Sequence, residues 1–334
     1  MNILVTGSSG FIGFHLCNYL LQKKNFKVFG IDNHNKYYDT KLKNTRNNIL
    51  LKKKNFQFYK IDLRKNKELQ KLQKKNFDVI IHLAAQAGIR YSIKNPREYL
   101  TNNIEASFNI LEFSKKIKVK HLMIASSSSV YGLAKGPFRE NFPSDHPIQF
   151  YAASKKSVEI MSHSYSYLYN LPITNFRLFT VYGPYGRPDM ALFGFTDKIY
   201  KNQKVKVFNY GKHARDFTYI DDAIKIIYKL MKSRPKKKVN WKWSYDNSAT
   251  STAPYRIVNI ASGRKVQLLK FLKYIEQAIK KNAKKVFVKQ QAGDMENTFA
   301  STKILEKIIK KYKVTKVQNG ILSFIEWYLK WKKK

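Results

Sequence analysis

Tyr151 and Lys155 stand four residues apart in Tyr151-Ala152-Ala153-Ser154-Lys155, and a run of serines, Ser126 to Ser129, precedes them. On a helix the two side chains are one turn apart and share a face. An ammonium beside a phenol favours the phenolate, because the opposite charge stabilises the ionised form. That turns a tyrosine, ordinarily protonated at neutral pH, into a usable general base. Spacing alone carries little: eight of the 22 tyrosines have a lysine four residues on, Tyr19 and Tyr37 among them. The pair at 151 and 155 is singled out by its setting, behind a serine-tipped apolar run and downstream of a glycine-rich turn.

That turn is Gly7-Ser8-Ser9-Gly10-Phe11-Ile12-Gly13, between a buried-type strand over 2–6 and a helix-periodic stretch over 11–24 (Phe11, Ile12, Leu16, Leu20). Glycines at such a junction permit a tight turn, close approach of a pyrophosphate, and close packing of helix on strand. The helix N-terminus then offers backbone N–H donors to the phosphates. Asp32 closes the next strand, Lys27 to Ile31, where a carboxylate accepts from both ribose hydroxyls and repels a 2′-phosphate. With no arginine directly after it, NAD is expected rather than NADP.

Further strands are expected over Phe56–Ile61, ending in Asp62-Leu63, and over Asp78–Leu83, running into Ala84-Ala85. After a helix over Pro96–Lys116, a strand His121–Ala125 delivers the serines, and another covers Ile173–Phe179. Alternating strands and helices, with near-continuous apolar strands, predict an α/β fold with a doubly wound parallel sheet. In such sheets ligands bind at the carboxyl ends of the strands, where these candidates fall. The Gly/Pro-rich stretch Thr180 to Pro188 marks a crossing into a smaller mixed α/β lobe. Expected there are a helix near Leu192–Tyr200, a strand Val205–Phe208, and helices over 221–232, 266–281 and 318–331. Residues 233–255 read as an exposed loop. The division is 1–180 for the dinucleotide and 181–334 mainly for the substrate, with some segments returning to the first domain.

The charge is extreme: 64 Lys+Arg against 22 Asp+Glu, a net of +42. Only 11 of the basic residues are arginine, the side chain suited to bidentate phosphate contacts, and the lysines are scattered in pairs and triples. Nucleic-acid binding is therefore not the expected role; the charge reads as a solvated surface. The lone cysteine, Cys17, excludes an intrachain disulfide. No signal peptide or membrane span is seen, so the expectation is a cytoplasmic protein. The apolar last helix with its lysine tail is expected to pack on the protein rather than lie on a membrane.

On Gly7–Gly13, Asp32, Asp62, Ala84-Ala85, the serine run and Tyr151/Lys155, the chain resembles the extended short-chain dehydrogenase/reductase (Rossmann-type) family. More narrowly it is similar to the UDP-glucuronate 4-epimerases, through His82 to Ser92, Ala125 to Gly132, Tyr182 to Ala191, Asn209-Tyr210-Gly211, Arg215 to Asp222 and Ala253 to Arg256. The resemblance spans residues 2 to about 330. It implies Tyr151, Lys155 and Ser127 as catalytic residues. The NAD contacts would be Gly7, Gly10, Phe11, Ile12, Gly13, Asp32, Asp62, Leu63, Leu83, Ala84, Ala85 and Asn103, with Tyr151 and Lys155; Asn103 reads equally as a cap on a helix turn. Substrate contacts would be Arg90, Ser127, Ser128, Ser129, Thr180, Arg187, Arg215 and Asp294, and no metal ligand is implied. A homodimer through helices near 96–116 and 151–169 is implied as well.

The implied reaction removes a proton and a hydride at the sugar C4 and restores the hydride to the other face of a 4-keto sugar. In the dehydratases and decarboxylases that resemble this chain, an acid precedes Val-Tyr-Gly; here Ser129 does, so elimination lacks its proton carrier. Hydroxyls at Ser127, Ser128, Ser129 and Thr180 would hold a substrate carboxylate. The chain departs from the resemblance at Ala292, where proline is usual before Gly-Asp, and at Ser301, where aspartate is usual. UDP-glucuronate is the expected substrate. UDP-glucose or a UDP-N-acetylhexosamine, and a basic NAD-binding protein with a nucleic-acid or partner-binding role, remain as alternatives.

Overall fold

A computed structural model describes residues 1–310 and 312–333. Its main sheet uses β1 (Asn2–Thr6), β2 (Lys27–Ile31), β3 (Phe56–Tyr59), β4 (Val79–His82), β5 (His121–Ser127), β6 (Ile173–Leu178) and β7 (Tyr255–Ile260). They lie in the order β7-β6-β5-β4-β1-β2-β3, every neighbouring pair parallel. Crossovers run one way from β1 and the other way from β4, so a switch point opens between these two strands. Such a crevice at the strands' carboxyl ends is where open α/β sheets take ligands.

Both sheet faces are covered, which is why the strands read as unbroken apolar runs. Ile3 and Val5 face the helices Phe11–Leu20 and Ile220–Lys232, whereas Leu4 between them faces the helix Ala106–Lys116 on the opposite side. Cys17 is buried in the first of these layers.

A second, smaller core gathers Phe193, Val205, Val207, Phe217, Phe271 and Phe324. Its central strand, Ala214–Tyr219, pairs in parallel with Thr180–Tyr182 and Asn297–Thr298 and antiparallel with Lys265–Gln267. Lys204–Phe208 pairs separately with Lys284–Val288. The two lobes are clasped by Asp216, whose buried carboxylate accepts from the Ser262 amide (2.8 Å), the Ser262 hydroxyl (2.6 Å) and the Gly263 amide (2.9 Å) just beyond β7. The last helix, Val317–Lys332, packs Ile321, Phe324, Ile325 and Tyr328 into this core, as expected.

Several outcomes differ from the sequence reading: Lys265–Gln267 is a strand where a helix was expected, Ala249, Ser251, Ala253 and Tyr255 of the expected exposed loop are buried, and three more concern the main sheet and its helices. β7 was not foreseen, because Arg256 and Asn259 interrupt its apolar character; both are buried against neighbouring chain, Arg256 bonding Thr174 (3.0 Å) and Asn259 bonding the Tyr131 hydroxyl (2.7 Å). β5 continues through Ser127, carrying two of the serines inside the sheet. The helix expected over 96–116 widens into π-helical turns at Leu100–Glu105, a distortion frequent beside functional sites. Here it turns Asn103 inward.

Candidate active site

The glycine turn is built as the spacing requires. Gly7 has φ +70°, and a Cβ added there would lie 2.9 Å from the Ala84 amide nitrogen. At Gly13 an added Cβ would meet the Gly7 carbonyl at 2.1 Å, so helix and turn touch backbone to backbone. Gly10 precedes the helix Phe11–Leu20 and no side chain caps it, which leaves the helix N–H groups free for an anion. Asp32 stands at the end of β2, its carboxylate accepting from the His34 amide (2.8 Å) and the Ser9 amide (3.2 Å). Thr6 ties the next loop on, accepting from the Leu83 (3.2 Å) and Ala84 (3.1 Å) amides. Cradle, open helix end and ribose-side carboxylate together fit a dinucleotide.

Tyr151 and Lys155 occupy the first turns of the helix Phe150–Tyr169, on one face as expected. The expected electrostatics need correction. Burial pushes the Tyr151 phenol up, and the groups pulling it back are the Ser127 hydroxyl and then the Arg187 guanidinium. Lys155 is itself buried, which draws it down from 10.5 to about 8, and Glu159 one turn on counteracts this. Its Nζ donates to the Ala125 carbonyl at 2.9 Å, leaving two protons for other acceptors. Ser127 and Arg187, rather than Lys155, are thus the groups that act against burial on the phenol. Ser127 ends β5 and accepts from the Ser129 amide at 3.2 Å, starting a short 3₁₀ turn over Ser128–Tyr131. Its hydroxyl lies 3.2 Å from that of Ser129.

Behind the helix lies an ion pair that the sequence did not disclose. The Arg177 guanidinium donates to both Glu159 oxygens at 2.8 Å, both residues being buried, and it covers the Tyr131 ring at 4.6 Å. Glu159 also accepts from the Ser126 hydroxyl at 2.5 Å. The pair therefore fixes the serine strand to the catalytic helix. A charged residue within the apolar strand Ile173–Leu178 was the available signal, since a buried charge needs a partner.

Asn103 donates to Ser154 Oγ (3.0 Å) and to the Gln86 carbonyl (3.2 Å), and accepts from the Gln86 amide (2.7 Å). These bonds place it between the helix Phe150–Tyr169 and the loop after β4. Two more unforeseen residues brace the cofactor side. Arg46, fully buried, donates to the Ser9 carbonyl (3.0 Å), the Tyr185 carbonyl (2.6 Å) and the Tyr38 hydroxyl (2.8 Å). Lys43 donates to the Asn35 carbonyl at 2.8 Å, close enough to Asp32 for its charge to be felt. Both sit in the helix Thr40–Leu51, whose polar composition hides them. His82 is held neutral by burial, down to about 3, between Thr6 (2.7 Å) and Ser107 (3.0 Å).

Of the other cofactor candidates, Asp62 is gripped by Arg64, whose Nη2 donates to its carboxylate at 2.6 Å. Leu63 is buried, its carbonyl accepting from Asn109 (2.8 Å). Ala85 follows Ala84 in the loop after β4, and Phe11 and Ile12 open the first helix.

The substrate candidates form two groups. Ser128 and Thr180 lie beside Ser127: Leu178 is its register partner in β6, and Thr180 follows two residues later. Arg90, Arg215 and Asp294 meet at the far end: Arg90 lies 3.3 Å from the Asp294 carboxylate and 4.8 Å over the Phe208 ring, and Asp294 also acts on Arg215. Gln149, just before the helix Phe150–Tyr169, donates to the Gly293 carbonyl at 3.0 Å and so ties that helix to the Asp294 loop. Arg187, near enough to Tyr151 to act on its phenol, is paired bidentately with Asp189 at 3.0 and 2.6 Å.

Comparison with known proteins agrees with this geometry. A model of the NAD dependent epimerase/dehydratase family matches residues 3–241. Protein CapI of Staphylococcus aureus is 43% identical over the whole of both chains. A probable UDP-glucuronate 4-epimerase of Rhizobium meliloti (strain 1021) is 42% identical, covering 98% of this chain and 97% of its own. The crystal structure of UDP-glucuronic acid 4-epimerase from Bacillus cereus, in complex with UDP-glucuronic acid and NAD, superposes with a TM-score of 0.88 at 31% identity, covering 99% of this chain and 100% of that one. With its glycine cradle, strand-end aspartate and Ser127/Tyr151/Lys155 set in place, this chain belongs to the NAD-dependent epimerase/dehydratase family.

Proposed function

We propose that the protein is an NAD-dependent 4-epimerase of UDP-sugars, acting on UDP-glucuronate to give UDP-galacturonate through a transient 4-keto sugar. The observation that carries this reading is the Ser127 hydroxyl standing near enough to the Tyr151 phenol to counter the upward push of burial, with Ser129, 3.2 Å from Ser127, where an acid would be needed for elimination. NAD bound in the cradle supplies a hydride acceptor that afterwards returns the hydride.

Tyr151 takes the proton of the sugar 4-hydroxyl, and Ser127 bridges that oxygen to the phenol. Lys155, still charged at neutral pH, offers its free protons to a ribose hydroxyl and adds positive charge beside the phenol once the site is filled. The carboxylate that touches the serine run, Glu159, is locked by Arg177 and cannot serve as a mobile acid. With no proton carrier for loss of water, the 4-keto sugar is left to turn over and be reduced on its other face. Ser128, Ser129 and Thr180 hold the substrate carboxylate, and Arg90, Arg187, Arg215 and Asp294 hold the nucleotide. On this reading residues 1–180 mainly serve the dinucleotide and 181–334 mainly the sugar nucleotide, with the helix Ile220–Lys232 and β7 returning to the first domain.

The protein acts as a homodimer on this reading. Leu100, Phe108, Ile160, Tyr167 and Leu168 project from the helical stretch Pro96–Lys116 and the helix Phe150–Tyr169 and are exposed in the single chain. It works in the cytoplasm; among the described residues no helix is long and apolar enough to cross a membrane.

The test is incubation of purified protein with UDP-glucuronate, resolving UDP-galacturonate from starting material and UDP-pentose. The expected result is UDP-galacturonate without pentose, and a loss of about 10³-fold in rate for Tyr151→Phe with NAD still bound. Turnover of UDP-glucose alone overturns the carboxylate reading; undiminished turnover by Tyr151→Phe overturns the mechanism.

A further inference from the structure

The amino-terminal end of the main sheet, opposite the site, carries a surface that the reaction does not use. The ends of β5 and β6 open there onto a groove of about 680 Å³ lined by Lys118, Lys120, Arg234, Lys236 and Lys237 among others. Acidic neighbours are few: Asp78 pairs with Lys120 and Glu112 with Lys115, and neither meets the remaining cations. From the rim of this groove the chain continues as Lys238-Val239-Asn240-Trp241-Lys242-Trp243-Ser244-Tyr245.

That segment displays three apolar side chains outward, while Trp241 between them is half-buried. Val239 is 88% exposed, Tyr245 70% and Trp243 66%. The display is built rather than slack. The Lys238 amide donates to the Thr252 carbonyl (3.1 Å), the Trp241 amide to the Lys238 carbonyl (3.1 Å), and Ser244 and Asn247 cap the turn that follows. Exposed aromatics beside lysines, with an aliphatic tip, match the chemistry of a bilayer interface. Tryptophan and tyrosine settle at headgroup depth, a short aliphatic chain reaches the acyl boundary, and lysines face anionic lipid.

We propose that residues 234–245, with the Lys118/Lys120 groove, dock the protein peripherally on an anionic phospholipid surface. A single-stranded nucleic acid fits the geometry less well. The Trp243 and Tyr245 rings pack on each other at 5.2 Å and 60°, so they do not offer the free successive faces that bases stack on. An aliphatic tip gives a base nothing to pair with, and lysines outnumber arginine throughout the patch.

The experiment is co-sedimentation of the full chain with phosphatidylcholine vesicles containing roughly 30% phosphatidylglycerol, against pure phosphatidylcholine, at about 0.15 M salt. The wild type is expected on the anionic vesicles and not on the neutral ones. Val239→Ser/Trp243→Ser/Tyr245→Ser lowers partitioning by about tenfold, and Lys236→Glu/Lys237→Glu by more, since each lysine near such a surface is worth about fivefold. Both variants keep wild-type turnover and thermal midpoint in free solution, so a loss cannot come from misfolding. Absence of wild-type binding overturns the proposal, as does a triple variant that binds undiminished, which reduces the effect to net charge. Polyuridylate binding that depends on the same three side chains, without vesicle binding, makes the partner a nucleic acid and overturns it too.

Discussion

The two sides of the cleft are built to opposite plans. On the cofactor side, Gly7, Asp32, Ala84, Ser127 and Lys155 come from a single sheet and the helix laid on it, and buried hydrogen bonds hold them within that scaffold. On the sugar-nucleotide side, Arg90, Arg187, Arg215 and Asp294 come from separate segments, and their charges are paired with one another, with Asp189, or with loop carbonyls such as that of Glu296, 2.8 Å from Arg215. Groups that must meet a reacting atom within a fraction of an ångström belong on rigid elements. Groups proposed to capture and release a substrate can exchange one partner for another even where regular elements carry them, as the strand Ala214–Tyr219 carries Arg215 and the helix Ile89–Lys94 carries Arg90.

That contrast is sharpest where it can be broken. Glu159→Gln leaves the Arg177 charge buried without its counterion and should cost about 3–5 kcal/mol of unfolding free energy, read from urea titration. A loss under about 1 kcal/mol would mean that the cofactor side is no more rigid than the other.

A second test is pH. Lys155 loses its proton near pH 8 in the folded protein, against 10.5 when unperturbed. Between those values the native state holds fewer protons than the unfolded one, so this group's contribution to folding grows as pH rises. NAD affinity moves the opposite way, because the ammonium is the donor. Its Kd should weaken above pH 8 by up to about tenfold per unit, and Lys155→Met should flatten that limb in a fluorescence titration. The smallest effect belongs to the sugar side. Arg90→Ala should change stability by no more than about 1 kcal/mol, since its pair with Asp294 is exposed, yet raise KM for the UDP-sugar with NAD binding untouched.

The same division governs what could be read in advance. Strand ends are announced by apolar runs that stop at glycine, aspartate or serine, so Gly7, Asp32, Ala84, Ser127 and Tyr151 were legible along with the doubly wound sheet. Arg46 and Lys43 were not, because a helix rich in lysine and asparagine reads as solvated whichever of its charges turns inward. Glu159 was hidden for the same reason, although Arg177 inside an apolar strand pointed to a missing partner. β7 was missed because a strand-type run broken by Arg256 and Asn259 resembles loop until their buried partners are known. The order of forces on Tyr151 could not be read either, since burial is a property of the assembled cleft.

The main sheet lets go of the chain twice at one edge, after β6 at Phe179 and after β7 at Ala261, and these exits are joined by the Phe179 amide donating to the Ile260 carbonyl at 3.1 Å. Ser127, alongside Leu178, stands beside the first of these exits. On the proposed mechanism the seat of the reacting carbon is therefore anchored in the main sheet at the very place where the chain departs for the smaller lobe.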